Sequence, residues 1–210
     1  MTYPVDVTPE FFYSGLTLQE YLEGMTKNRE VFEANYSNFT LNEDELSSLA
    51  TIKGTRHILV LTEDWCGDSN RYLPALARMA EALEHWEIRF FYRDAHLDMA
   101  GRWLKHGTHL AIPVIVFFDE EWNECGCFVE KPDPIYQEEA DARLVFAAAY
   151  PDLPDAALPA SEMSPQTLDI FAPYMRAFRL TNTQKWQHLF VAELTARLQR
   201  ATSMQGAGCW

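Results

Sequence analysis

Apolar and polar positions follow two different periods along the chain, and the change between them divides it. In the first fifty residues Leu18, Tyr21, Leu22 and Met25 form a one-sided helical stripe. Thr17 and Glu20 have the spacing of a capping box, with Leu16 and Tyr21 placed as a hydrophobic staple. Asn42-Glu43-Asp44-Glu45 offers a second helix start, leading into Leu46, Leu49 and Ile52, and Gly54 ends that segment. From Arg56 to Thr62 the pattern becomes a continuous apolar run, Ile58-Leu59-Val60-Leu61, which suits a strand buried on both faces. Glu63 to Ser69 is the turn after it. Apolar residues at positions 72, 73, 76, 79, 80, 83 and 86 then predict a helix from Ser69 to Trp86, with Pro74 near its start, where it kinks rather than breaks the helix. A strand over Ile88 to Tyr92, a helix from Leu97 to His106, and a strand over Val114 to Phe118 opened by Pro113 follow. After the polar turn Asp119 to Asn123, Glu124 to Val129 returns as a strand; two strands joined so tightly pair antiparallel.

Further along, Ile135 to Tyr150 reads as helix, and Pro151, Pro154 and Pro159 mark a surface excursion. Ser164-Pro165 is a cap followed by a first-turn proline, while Pro173 predicts an end or a bend. Asn182 is placed to cap a final helix through Arg200, with Trp186, Leu189, Phe190 and Leu194 inward, and Ala201 to Trp210 as a frayed tail.

Composition narrows the class. A chain of 210 residues, 48% hydrophobic and 23% charged, is a folded domain with additions rather than a disordered chain. A net charge of −14 without any basic cluster argues against nucleic acid as partner. The longest apolar runs are strand length, which predicts no membrane span. The start, Met1 to Asp6, lacks a signal-peptide pattern, so the expected location is cytoplasmic. Four cysteines, Cys66, Cys125, Cys127 and Cys209, are too few and too uneven for a disulfide scaffold, which turns the question to which of them is chemically special.

Cys66 stands directly after a buried strand, where a helix opens. Orphan backbone N–H groups and the helix dipole favour a thiolate there, and the thiolate is the nucleophilic form. Pro113, in Ala111-Ile112-Pro113-Val114, stands where a cis proline brings backbone beside that strand–helix turn.

Trp65, Cys66, Pro74, Ile112 and Pro113 together resemble, in type and order, the thioredoxin superfamily: a strand, a W-C-x-x-C opening a proline-kinked helix, then an I-P pair before an antiparallel hairpin. The likeness runs from Thr55 to Lys131 and includes the final helix. The helical lead and the W-C-G-D turn are similar to bacterial thioredoxin-like proteins with such an extension. The resemblance implies an α/β thioredoxin-like fold, a central mixed sheet of about four strands flanked by helices, with added helices at both ends. The implied organisation is a helical extension over 1–54, the thioredoxin-like domain over 55–200 with a proline-containing helical insertion around 135–181, and the 201–210 tail.

One departure changes the expected chemistry. The second cysteine of the motif is Ser69, so the resemblance is to the monothiol C-x-x-S variants. A hydroxyl forms no disulfide, so a mixed disulfide on Cys66 must be resolved by an external thiol; glutathione is the candidate co-substrate, and no resident cofactor is implied. The implied catalytic pair is Cys66 and Ser69, with Trp65, Gly67, Asp68, Ile112 and Pro113 lining the substrate groove, and partners that are protein or small-molecule thiols and disulfides. A redox-inactive thioredoxin-fold module binding a protein or peptide is the rival reading.

The other candidates carry less. Cys125 and Cys127, just beyond the hairpin turn, are expected far from Cys66 as core or surface thiols, with a Cys125–Cys127 disulfide as an independent alternative; Cys209 lies on the tail. His109 of the His106-Gly107-Thr108-His109 loop is an accessory candidate near the thiol, with a plain loop histidine favoured, and zinc lacks a second ligand pair. Asp64 and Asp68 oppose a thiolate by repulsion, although Asp68 also suits the first helical turn, which leaves the direction of the Cys66 pKa open. Glu63 and the acidic runs around Glu120 and Glu138 are expected to be solvated, and Trp122 and Trp210 are expected as exposed aromatics.

Overall fold

Four helices precede the first strand in the computed structural model, which describes residues 7–55 and 57–201. Arg56, Cys209 and Trp210, with nearly all of the expected tail, lie outside the described residues. Helices α1 (Pro9–Tyr13), α2 (Leu18–Gly24), α3 (Arg29–Asn38) and α4 (Glu43–Leu49) form the extension. The Thr17–Glu20 and Asn42–Glu45 capping boxes are both made, which is why α2 and α4 begin where the spacing predicts. Helix α3 carries no such signal: Asn28, its cap residue, sits in the left-handed region at φ 56° and makes no side-chain cap bond.

Strands β1 (His57–Thr62), β2 (Glu87–Tyr92), β3 (Val114–Phe118) and β4 (Glu124–Val129) form one mixed sheet in the order β2-β1-β3-β4. β1 runs parallel to β2 and antiparallel to β3, and β3 pairs antiparallel with β4. The parallel pair is joined through α5 (Gly67–Ala82), the crossover that such a pairing requires. Beyond β2, Leu16 exchanges backbone hydrogen bonds with Phe90 at 2.9 and 2.8 Å, so the extension covers the sheet edge.

Each central strand is buried on both faces, with alternate residues serving different layers. Leu59, Leu61, Val114, Val116 and Phe118 join Phe12, Phe91, Met99 and Trp103 in one core. The opposite layer includes Tyr72 stacked on Phe190 (ring centroids 5.5 Å apart) and Phe128 edge-on to the same ring at 5.2 Å.

The chain divides into two compact units, Met1–Lys131 with Gln187–Trp210, and Pro132–Trp186. The second contains α7 (Asp133–Ala149), a short 3-10 turn (Ala160–Glu162) and the first part of α8 (Pro165–Ala201). Its core is Ala142, Phe146, Ala156, Met163, Phe171 and Met175. Asp155 accepts from the Ser164 N–H and the Thr167 hydroxyl, tying the proline-rich excursion to the start of α8.

Several expectations are corrected. The helix after β2, α6 (Leu97–Ala100), stops at Gly101 instead of reaching His106, because residues 105–109 close a tight loop in which Lys105 N–H and His109 N–H bond each other's carbonyls, with His106 and Gly107 at positive φ. Helix α8 continues through Pro173, so of the expected end or bend the end is not made, and Asn182 caps nothing; its amide donates to the Phe178 carbonyl inside the helix. Glu63 is buried and accepts from the Asp94 N–H at 2.8 Å. Glu138 accepts from Lys185 and from the Trp186 ring N–H, both at 2.7 Å, rather than facing only solvent. Trp122 is half-buried and stacks on His57 with ring centroids 4.0 Å apart.

Candidate functional site

The turn after β1 delivers Cys66 to the N-cap of α5, one residue before the helix begins at Gly67, two positions earlier than the apolar period indicates. The Cys66 N–H closes the turn on the Glu63 carbonyl at 3.1 Å. As N-cap, Cys66 uses its sulfur where serine or aspartate uses an oxygen: Sγ accepts from the Ser69 N–H at 3.4 Å. Across the site, the thiol lies 3.5 Å from the Ile112 carbonyl, to which it donates. The Ile112–Pro113 peptide is cis, and the Pro113 carbonyl accepts from Glu130 N–H at 2.8 Å. Thus Cys66 and Ser69 meet Ile112 and Pro113, a pair more than forty residues further along the chain, in one place.

Burial pushes the Cys66 thiol above its ordinary pKa, with the nearby Asp68 carboxylate adding to the rise. The Ser69 N–H at the start of α5 pulls the other way without overcoming it, while the buried Ser69 hydroxyl finds no hydrogen-bond partner among the described residues. The helix terminus therefore offsets desolvation only in part, and the resting group is a thiol whose proton is directed at Ile112. Ser69 is fully buried. Asp68 is paired along its helix with Arg71 at 2.7 Å and lies 3.9 Å from the Lys131 ammonium. Gly67 faces open space, where an added Cβ meets nothing within 4 Å. Trp65 beside it is 46% exposed, with the Arg93 guanidinium 5.9 Å from its ring centroid.

The remaining cysteines sit elsewhere. Cys125 is free and half-buried at a β-bulge opposite Phe117 and Phe118, and burial with Asp119 and Glu124 pushes its pKa up to about 11. Because Cys125 is free, the Cys125–Cys127 disulfide is not made. Cys127 pairs with Val116, is fully buried, and is held in a disulfide rather than standing as the free thiol its position suggests. Phe118 lies four residues along β3 from Val114, so Cys125 is on the order of 13 Å from the proline end of that strand. His109 is exposed, and its ring nitrogen bonds the Thr108 hydroxyl at 2.7 Å. Among the described residues, no group of three or more His, Cys, Asp or Glu side chains is assembled to hold a metal ion.

Four polar residues carry more of this site than their sequence positions suggest. Asn70 donates to the carbonyls of Asp64 and Cys66 at 2.8 and 2.7 Å, and its own carbonyl accepts from Asn35 at 2.8 Å. Asn28 donates to the Asp64 carbonyl at 2.9 Å, and Thr26 donates to the Asp64 carboxylate. Asn70 stands in the first turn of the helix ahead of its apolar stripe, and a polar residue there has no periodicity that would single it out. Burial pushes the Asp64 carboxyl up, but the donors from Thr26 and Lys27 outweigh it and hold it below the usual carboxylate range.

Comparison with known proteins places this geometry in a wider group. A family described as Thioredoxin matches residues 15–143, more than half of the chain. No curated protein matches. Among solved structures, a protein of unknown function from Pseudomonas aeruginosa is 22% identical, with 69% of this chain and 90% of that one covered and a TM-score of 0.56. An HIV epitope-scaffold is 18% identical over 91% of this chain and 96% of its own, with a TM-score of 0.57. At these identities the likeness concerns the fold alone.

Proposed function

The chain belongs to the thioredoxin family, and on that premise we propose that it is a monothiol thiol–disulfide oxidoreductase with Cys66 as its nucleophile. The observation that carries the reading is the place of the Cys66 sulfur, between the Ser69 N–H at the start of α5 and the Ile112 carbonyl ahead of Pro113. A disulfide presented along the Ile112–Pro113 backbone displaces the thiol's bond to Ile112 and brings a sulfur to attack. The Cys66 sulfur then bonds one sulfur of the substrate, the S–S bond breaks, and the Cys66 proton ends on the departing thiol. An external thiol such as glutathione attacks the mixed disulfide, returning Cys66 to the thiol and leaving the substrate sulfur bonded to the external one. The Ser69 N–H stabilises the sulfur as charge develops, and the Ser69 hydroxyl cannot resolve the disulfide. Trp65 and the open side at Gly67 leave room for the incoming group.

The raised Cys66 pKa favours a second reading, a redox-inactive module that binds a peptide or protein in the same groove. The deciding experiment follows formation and thiol-dependent release of a Cys66 mixed disulfide with oxidised glutathione by intact mass. The oxidoreductase reading requires a single adduct, absent in Cys66→Ser and removed by reduced glutathione. No adduct on folded wild-type protein, with Cys125 still alkylated at high pH, leaves the binding module.

A further inference from the structure

We infer that the N-terminal extension holds a positioning clasp for Cys66, with Asp64 as the positioning residue and Thr26, Lys27 and Asn28 as its partners; the inference rests on the reading of Cys66 as a nucleophile. The connection between α2 and α3 lies against the turn that follows β1. Asp64 Oδ2 accepts from the Thr26 N–H at 2.7 Å, the Thr26 hydroxyl at 2.9 Å and the Lys27 N–H at 3.0 Å. The backbone carbonyl of the same residue accepts from the Asn28 amide at 2.9 Å and from the Asn70 amide at 2.8 Å. Asn70 also holds the Cys66 carbonyl and is itself held by Asn35 of α3. The extension thus fixes the peptide entering Trp65 directly, and the peptide leaving Cys66 through Asn70.

Two features separate this from an ordinary tie between segments. A carboxylate two residues from a nucleophilic sulfur is electrostatically adverse, yet the position carries one, and its bonds are of the short, charge-assisted kind. Asn28 occupies the left-handed region, and its side chain caps no helix of its own; it is directed to the turn instead. Among the described residues the sulfur has two hydrogen bonds to align it, at 3.4 and 3.5 Å, so its place depends on the backbone on either side. A displacement of about 1 Å in such a site costs on the order of a hundredfold in rate.

The test is the pH profile of iodoacetamide alkylation at Cys66, read by peptide mass spectrometry on the full-length chain, with free Cys125 as internal reference. Asp64→Ala removes the acceptor; Asp64→Asn removes the charge but keeps an oxygen for Thr26 and Lys27. Positioning predicts that Asp64→Ala slows Cys66 about tenfold relative to Cys125 across the profile, and that Asp64→Asn recovers to within about threefold of wild type. Equal effects of the two variants would mean that Asp64 acts by charge alone and would overturn the clasp, as would a Cys66 profile unchanged in Asp64→Ala. If Asp64→Ala does not fold, Thr26→Val and Asn28→Ala each remove one donor. A loss of about two- to fivefold at Cys66 alone supports the clasp, and no loss in either overturns it. Alkylation reads the sulfur whether or not it exchanges disulfides, so failure of the oxidoreductase reading shows separately, as an absent glutathione adduct.

Discussion

At the scale of single residues, the site is decided by a contest between a helix terminus and burial. Cys66 accepts one N–H in the first turn of α5, but it is only 9% exposed, and desolvation dominates. Its alkylation rate is therefore expected to keep rising through pH 9 with no plateau near neutrality; a plateau below about pH 8 would contradict this. The same shift has a stability consequence. A thiol whose folded pKa lies above its unfolded one contributes stability below the unfolded pKa that is lost as pH rises through the folded value. Cys66→Ser should flatten the alkaline limb of a melting-temperature profile. Asn70 belongs to this scale as well. Asn70→Ala removes one of two donors from each of the Asp64 and Cys66 carbonyls, and the two lost hydrogen bonds are expected to cost about 1–3 kcal/mol in denaturant unfolding.

Between elements, the extension and the sheet are joined by close approach as much as by hydrogen bonds. Gly15 lies so near β2 that an added Cβ meets the Phe91 ring at 2.4 Å and the Arg89 Cβ at 3.0 Å, just where Leu16 pairs with Phe90. Gly15→Ala is expected to destabilise by about 1–3 kcal/mol through forced displacement, measured by chemical denaturation. Asn42→Ala removes the cap of α4 and is expected to cost about 1 kcal/mol, against little change for the exposed Ser47→Ala. These elements also show what a one-dimensional pattern can reveal. Helices α2 and α4 are legible because their capping signals and stripes are local, and β1 and β3 because continuous apolar runs have few other destinations. Helix α3 was not, since its cap residue is recruited by Asp64, far away in sequence. The reach of α6 and the continuity of α8 through Pro173 likewise answer to packing and loop closure rather than to propensity.

For the molecule as a whole, charge is the dominant feature. At −14 the chain repels itself at neutral pH, so its melting temperature should rise as salt is raised from about 10 mM toward about 150 mM, over which the Debye length falls from roughly 30 to 8 Å. Acid acts through particular carboxyls. Asp155 is held at about 2 by the Thr167 hydroxyl and the Ser164 N–H, so the stability it contributes is present above its unfolded pKa and is lost as pH falls through the folded value. Asp155→Asn should accordingly flatten the acid limb between about pH 4 and pH 2 in a melting-temperature profile; an unchanged limb would show that the Asp155 bonds do not persist in solution.

By itself the sequence determined the order of strands and helices through the four-stranded sheet, the place of Cys66 at a strand–helix turn, and the exclusion of a second thiol at Ser69. All three follow from local periodicity and side-chain chemistry, which a chain carries without folding. Only the tertiary structure decided that the Ile112 carbonyl takes the thiol's hydrogen bond, that burial outweighs the helix terminus at Cys66, and that Thr26, Asn28, Asn35 and Asp64 converge on the turn. Those outcomes depend on desolvation and on hydrogen bonds between residues more than thirty positions apart, and neither has a period to read along the chain.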